Sequence, residues 1–400
     1  MNEKFQKRYL NKNVFDAAIE RMEYIFNNFE KVYFSFSGGK DSTVMIHLAL
    51  LVARKLNKLP INVLFIDLEA QYKTTIEHVE KMLINNKDIN PYWICLPLNL
   101  RNAVSMYQPQ WICWDENEKE KWVRELPKYN CVISDINYFP FFRKGMEFEQ
   151  FVVEFGKWFG GKALTACGVG IRTQESINRF RTLKNEKKRR FCEQFWTTKI
   201  ADNLYNFYPI YDWRTEDVWT AIGKNNWEYN KIYDLMYMQG KTIHESRLCQ
   251  PYGSDQRKGL NLFKALEPST WGKVVNRVSG ANFGNIYCDT FLLGNRKTYL
   301  PEGHTWKSFY EFLMDTIPTY EKKWYMERFS VFFKYWAEHG YPEIPDEADP
   351  KLEARKKVPS YRRLVKCILK NDKLCKSLSF SQRKNDYEHY IELREMYGEE

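Results

Sequence analysis

Residues 32–43, Val-Tyr-Phe-Ser-Phe-Ser-Gly-Gly-Lys-Asp-Ser-Thr, run a β-branched and aromatic stretch directly into a glycine pair, a lysine and a set of hydroxyl side chains. Val32 to Phe36, with Ser35 inside it, has the composition and length of a buried strand. Asp41 to Leu56 then carries apolar side chains at Val44, Ile46, Leu48, Leu51, Val52 and Leu56, a helical spacing. The turn between them therefore falls at a helix N-terminus, where unpaired N–H groups and the positive end of the helix dipole favour an anion. Gly38 and Gly39 let the backbone approach that anion with no Cβ in the way. The order strand, glycine turn, helix is that of a phosphate cradle.

Spacing decides which kind of cradle. A Walker loop reads G-x-x-x-x-G-K-[ST], whereas Ser37-Gly38-Gly39-Lys40-Asp41-Ser42 is a compact S-G-G-K-D-S followed by Thr43. This form resembles the pyrophosphate loop of the ATP pyrophosphatases. The resemblance implies that the β and γ phosphates are held as a leaving group while a nucleophile attacks the α-phosphate.

The chain has 400 residues, enough for two domains and a sizeable core. Aromatic residues make up 16%, which fits an aromatic-rich core with some rings left for grooves or interfaces. The first residues, Met1-Asn2-Glu3-Lys4-Phe5-Gln6-Lys7, are charged, and no run reaches the ~18 consecutive apolar residues of a membrane span. With nine cysteines scattered and odd in number, the expectation is a cytoplasmic protein with reduced thiols. Cys113, Cys131, Cys167, Cys192 and Cys249 have no spacing that commits them to zinc or an iron–sulfur cluster, so neither is expected.

The net charge of +10 is regional. Residues 177–200 hold Arg179, Arg181, Lys184, Lys187, Lys188, Arg189, Arg190 and Lys199 against Glu186 and Glu193, and residues 351–376 hold ten basic side chains against Glu353 and Asp372. Segments 179–190 and 351–376 are thus candidate contacts for nucleic acid, with a solvated basic helix face as the competing account.

Along the chain, Val14, Ala17, Ala18, Ile19, Met22, Ile25 and Phe26 predict an amphipathic helix capped by Asn13. Ile61–Ile66 predicts a second strand ending in Asp67 and Glu69, residues 74–85 a helix, and Pro91–Leu96 a third strand. Ala163–Val169 predicts a further strand followed by a helix opening near Thr173, and Asn206–Ile210 another short strand. Thr215 is expected to cap a helix over Glu216–Ile222, and from about residue 301 the pattern is helical. Such alternation predicts an α/β fold, a doubly wound and mostly parallel sheet, with a C-terminal helical region. The domain expectation is 1–225 for the α/β part, with an insertion at about 105–160 covering the site, and 226–400 for a mainly helical region with a basic tail. Ligands bind beyond the carboxyl ends of such strands, which places Ser37, Asp67 and Glu69 on one rim.

Two further motifs repeat the anion logic. Gly168-Val169-Gly170-Ile171-Arg172-Thr173-Gln174-Glu175-Ser176 puts an arginine at a glycine turn, with Arg179 seven positions on along the same helix face. Glu175 is placed to orient Arg172 or to help hold a metal. Tyr208-Pro209-Ile210-Tyr211-Asp212-Trp213-Arg214-Thr215-Glu216-Asp217-Val218-Trp219 is the third marker. In this order and at these separations the three resemble the phosphoadenosine phosphosulfate (PAPS) reductase-like family over roughly residues 12–225. That family includes the small subunit of sulfate adenylyltransferase and the DNA phosphorothioation ATP pyrophosphatase, and its fold is adenine nucleotide alpha hydrolase-like.

The second half adds a narrower likeness. His244-Glu245-Ser246-Arg247, Gln256-Arg257-Lys258-Gly259-Leu260, Glu267-Pro268-Ser269-Thr270-Trp271 and Arg277-Val278-Ser279-Gly280-Ala281-Asn282-Phe283-Gly284 resemble a long PAPS reductase-like branch from bacteria and their mobile elements. Its members are described as immunoglobulin-binding regulator A or as phosphoadenosine phosphosulfate sulfotransferases, and the resemblance implies a ParB-like protein partner. One departure stands out. Reductases of the family carry a C-terminal Glu-Cys-Gly-x-His motif, and no such sequence occurs here; Cys367 and Cys375 sit in other contexts.

The leading expectation is therefore an enzyme acting at the α-phosphate of ATP by adenylylation with pyrophosphate release. Lys40, Asp41 and Arg172 are its catalytic candidates. The nucleotide would be held by Ser35, Ser37, Gly38, Gly39, Ser42 and Thr43 of the first motif, by Asp67 and Glu69, by Gly170, Glu175, Ser176 and Arg179 of the second, and by Asp212 and Trp213 of the third. Mg²⁺ would bridge the phosphates with Asp41 or Asp67 as ligand. Two alternatives remain open at this point: binding of PAPS or a related sulfonucleotide for sulfur transfer, and a nucleotide-dependent nucleic-acid-binding regulator.

Overall fold

Val32, Tyr33, Phe34 and Phe36 are all buried, and a strand apolar on both faces belongs inside a sheet. In the computed structural model, which describes residues 11–102, 105, 108, 110–184, 188–248, 260–278, 299–370, 372–380 and 386–397, it lies at the centre of one. Strand β1 (Lys31–Phe36) is flanked in parallel by β2 (Ile61–Ile66) and by β7 (Thr165–Val169), with Ser35 opposite Leu64 on one side and Val169 on the other. β3 (Ile89–Ile94) and β6 (Val132–Ile133) extend the sheet beyond β2, and β9 (Leu204–Phe207) and β8 (Thr197–Ala201) extend it beyond β7. The order is β6-β3-β2-β1-β7-β9-β8, parallel throughout except at β8, which pairs antiparallel with β9. A separate hairpin joins β4 (Asn99–Arg101) and β5 (Gln110–Ile112).

This is the expected α/β fold with a doubly wound, mostly parallel sheet. Chain order reverses between β1 and β7, the switch point where such sheets open a crevice beyond the strand ends. Helix α1 (Val14–Asn28) starts at Asn13, whose side chain accepts the Asp16 N–H as the sequence predicts. Helix α2 (Lys40–Lys55) packs on β1, β2 and β7 and against α1, and α3 (Lys73–Leu83) packs on β3. Helix α4 (Phe148–Gly160) packs on β7, β8 and β9. Close fit is visible at Gly168, where a Cβ would lie 2.4 Å from the Phe34 ring.

Three local expectations shift. Helix α5 (Ile177–Lys184) begins after Ser176, whose hydroxyl accepts the Arg179 N–H, and residues 173–175 are turn. In α6 (Thr215–Asn225) the N-cap is Arg214, with its N–H given to the Asp217 carboxylate at 2.7 Å, and Thr215 is the first helical residue. The basic stretch before residue 200 contributes strand β8.

Helices α7 (Ile232–Met238), α8 (Leu260–Leu266) and α9 (Pro268–Arg277) follow. The chain divides into two compact units, and residues 110–253 and 262–278 belong to the first with the sheet. The second contains residues 279–400, where helices Trp306–Thr316, Thr319–Glu338, Tyr361–Leu369 and Asp386–Tyr397 enclose Trp324, Tyr325, Phe329, Leu364, Cys367 and Tyr390. Its basic segment is divided: Lys351, Arg355, Lys356 and Lys357 are exposed, whereas three others are held inside the unit. Arg362 binds Glu353 and Glu347, Arg363 is buried on the carbonyls of Val358 and Ser377, and Lys373 binds Glu321 and the Tyr390 hydroxyl. No helix among the described residues is long and apolar enough to cross a membrane.

Candidate functional site

A cavity of about 580 Å³ opens at the β1/β7 switch point, lined by Ser35, Ser37, Gly39, Lys40, Asp41 and Ser42 on one side and by Gly170, Arg172, Glu175 and Arg179 on the other. Ten of the residues singled out in the sequence thus meet around one volume. The loop backbone explains the glycine pair. Gly38 has φ +71°, and a Cβ there would lie 2.8 Å from the Thr75 methyl group. Gly39 is the N-cap of α2, so the N–H groups of Lys40, Asp41 and Ser42 are the ones an α-helix leaves without an internal acceptor. Gly170 brings the β7 turn against that first turn: a Cβ on it would sit 3.0 Å from the Ser42 nitrogen and 3.2 Å from the Asp41 carbonyl carbon.

The hydroxyls of the loop brace it from within. Ser42 Oγ donates to the Gly39 carbonyl at 3.0 Å and accepts the Ser37 N–H at 3.2 Å, and Thr43 Oγ1 donates to the same carbonyl at 2.9 Å. Buried His78 Nε2 lies 2.9 Å from Thr43 Oγ1. With the Thr43 proton on Gly39, His78 is the Nε2–H tautomer. Burial lowers its pKa to about 3, so the ring is neutral.

Charge inside the cavity is paired. Arg172, 2% exposed, donates from Nε to Asp41 at 2.5 Å and from Nη1 to Gln174 and Thr215 at 3.3 Å. Lys40 is 4% exposed; its ammonium donates to the Ser246 carbonyl at 3.0 Å and lies 3.8 Å from Asp41. Burial lowers the Lys40 pKa, with Asp41 opposing that shift and Arg172 adding to it. Arg179 pairs with Glu175 at 3.0 Å. Burial raises the Glu175 pKa, Arg179 pulls it back, and Asp41 pushes it up again.

Several predicted site residues lie elsewhere. Asp67 and Glu69 are fully buried away from the cavity. Asp67 is held by Arg124 and by Trp93 Nε1 at 2.9 Å; Glu69 is held by Arg277 Nε at 2.8 Å and by the N–H groups of Trp114 and Val123. The segment from Trp111 to Arg124 therefore closes over these two carboxylates, and among the described residues of 105–160 only Phe148 and Val152 line the cavity. Asp212 takes a two-pronged contact from Arg21, and the Trp213 indole donates to the Val14 carbonyl, so the third motif anchors α1. Ser176 caps α5, and Thr43 lies behind the loop.

The same contacts test the Mg²⁺ expectation. Asp41 lines the cavity but is engaged by Arg172 and Lys40, and Asp67 lies away from it on Arg124 and Trp93. Among the described residues no group of three or more His, Cys, Asp or Glu side chains has a metal-holding arrangement.

Residues not named as site candidates from the sequence complete the site. The Tyr233 hydroxyl accepts the Lys40 N–H at 3.0 Å across 193 positions, and Asn230 Nδ2 donates to the Gly38 carbonyl at 2.9 Å. Arg247 Nη2 donates to the Glu175 carbonyl at 2.5 Å, and Arg247 and His244 line the cavity. Phe148, Val152, Val169 and Ile171 give it an apolar wall. His244 and Arg247 fall in a motif noted in the sequence; Tyr233 and Asn230 do not. Cys249, residues 256–259, residues 279–284 and Lys187 lie outside the described residues.

Residues 31–239 match the phosphoadenosine phosphosulfate reductase domain, and residues 240–342 and 341–389 match a domain of unknown function. The uncharacterized protein YbdN of Escherichia coli K12 is 38% identical over 387 residues, covering 95% of this chain and 94% of that protein. A phosphoadenylyl-sulfate reductase structure from Candida auris is 15% identical, covers 58% of this chain and 95% of that one, and has a TM-score of 0.32. An FMN adenylyltransferase structure from Candida glabrata is 16% identical, covers 57% of this chain and 62% of that one, and also has a TM-score of 0.32.

Proposed function

Since the chain belongs to the phosphoadenosine phosphosulfate reductase domain family, we propose that it binds ATP and acts at the α-phosphate, transferring the adenylyl group and releasing pyrophosphate. The observation that carries this reading is the cavity at the β1/β7 switch point, where the S-G-G-K-D-S loop at the start of α2 faces Arg172. The Asp41 and Ser42 N–H groups, which lack an acceptor within α2, and the Lys40 ammonium suit the β and γ phosphates, and Arg172 suits the charge that grows on the leaving pyrophosphate. To serve that role Arg172 has to share or leave its contact with Asp41.

Charge balance supports ATP over a sulfonucleotide. Lys40, Arg172, Arg179 and Arg247 face Asp41 and Glu175, four positive side chains against two negative ones. That modest excess suits a magnesium-chelated triphosphate, in which the metal arrives with the substrate, better than a ligand with an additional 3′-phosphate. The sequence also holds no Glu-Cys-Gly-x-His motif to supply a sulfur nucleophile.

Incubating the protein with α- and γ-labelled ATP and Mg²⁺ tests the proposal. The expected products are AMP, or an adenylylated acceptor, together with pyrophosphate; release of orthophosphate and ADP contradicts it. Arg179, whose side chain is 39% exposed, gives the sulfonucleotide alternative its one specific support. Tighter binding of PAPS than of ATP in competition calorimetry would favour that alternative.

A further inference from the structure

Glu175 occupies the turn between β7 and α5 and lines the cavity, with its side chain 18% exposed. Its two oxygens are in different states. Oε1 holds Arg179 at 3.0 Å, whereas Oε2 is buried with no hydrogen-bond partner. Buried polar atoms are nearly always satisfied, so an orphan carboxylate oxygen in a cavity wall calls for a function. The other cavity carboxylate, Asp41, is already engaged by Arg172 and Lys40.

Attack on the α-phosphorus by a hydroxyl acceptor, or by water in its place, requires that the attacking oxygen lose a proton. We propose that Glu175 is the general base of this transfer, a role that rests on the α-phosphate reading of the cavity. Oε2 takes the acceptor's proton while the acceptor oxygen forms its bond to the α-phosphorus. The bridging bond between the α-phosphorus and the β-phosphate oxygen breaks, and pyrophosphate leaves with that electron pair. The charged groups around Glu175 are Arg179 on α5, Lys40 and Asp41 on α2, Arg172 in its own turn, and Arg247, which binds its carbonyl. Burial and Asp41 raise its pKa against the pull of Arg179, which moves the carboxylate toward the range in which a general base is most effective near neutrality. His244 is the cavity's imidazole, and its Nε2 lies 3.1 Å from Glu216 with both side chains about half exposed.

The test uses the full chain with MgATP and water as acceptor, in wild type, Glu175→Gln, Glu175→Ala and His244→Gln. AMP release is followed between about pH 5 and 9, with ATP affinity measured by calorimetry. Wild-type release should rise with pH through a limb above the ordinary glutamate range. Glu175→Gln keeps an oxygen for Arg179, so it should bind ATP within about threefold of wild type, yet release AMP about 100-fold more slowly and lose the limb. Added formate should restore part of the rate to Glu175→Ala but not to Glu175→Gln. Retention of rate and limb by Glu175→Gln overturns the proposal. So does loss of ATP affinity as large as the loss of rate without rescue, which would make Glu175 a support for Arg179, and so does a limb that vanishes in His244→Gln instead. Wild type that binds ATP but releases no AMP at any pH overturns the α-phosphate reading itself, and the base with it.

Discussion

Glu69 has φ +66° and is fully buried, and its carboxylate is saturated. Arg277 supplies two contacts from 208 positions away, and two backbone N–H groups supply the rest. Read in sequence, Asp67 and Glu69 are carboxylates at a strand end, where ligands bind; no spacing rule announces the arginines that neutralise them. Removing Arg277 strands a buried charge. Arg277→Met should cost about 3–5 kcal/mol in urea unfolding, and Glu69→Gln combined with it should recover much of that loss. A loss below about 1 kcal/mol would mean that the pair contributes little.

His78 gives a pH signature. Its folded pKa, about 3, lies below the ordinary histidine value, so between about pH 3 and 6.5 the unfolded chain binds the extra proton. The stability carried by neutral His78 is therefore complete above about pH 6.5 and is lost as pH falls toward 3. Compared with wild type, His78→Gln should lose less stability between about pH 7 and 5, by up to about 2 kcal/mol. Parallel pH profiles for the two proteins would contradict that environment for the ring.

At the scale of elements, what was legible is what is local. The β1 strand, its glycine turn and α2 announce themselves within 25 residues, Lys31–Lys55, because apolar period and glycine placement change there together. The β7 turn with Arg172 is legible in the same way, and the β1/β7 register brings the two turns side by side. Less visible was the antiparallel β8, whose Thr197 and Thr198 lie beside a basic run that reads as helix or surface. Tyr233 and Asn230 were not legible at all, since their partners in the loop are about 190 positions distant. Contact between the two turns is tight at Gly170, where an added Cβ meets backbone atoms of Ser42 and Asp41. Gly170→Ala should weaken ATP binding about tenfold by calorimetry, ~1.4 kcal/mol. Gly223→Ala, in α6 with open space around it, is the control and should leave binding unchanged.

For the whole molecule, composition suggested a polyanion partner, and the structure redistributes that charge. Arg190 is tied to the carbonyls of Leu183 and Thr197, and Arg362, Arg363 and Lys373 are tied within the second unit. A sum over residues cannot distinguish cations that face water from cations that hold a fold together. Among the described residues, loop, arginine turn and Glu175 meet around the cavity of the first unit. Attack at the α-phosphorus is the central claim for that cavity. Turnover of MgATP in ¹⁸O-labelled water locates the attack directly. The account predicts that the label appears in AMP and that pyrophosphate is released unlabelled; label in pyrophosphate or orthophosphate would contradict it.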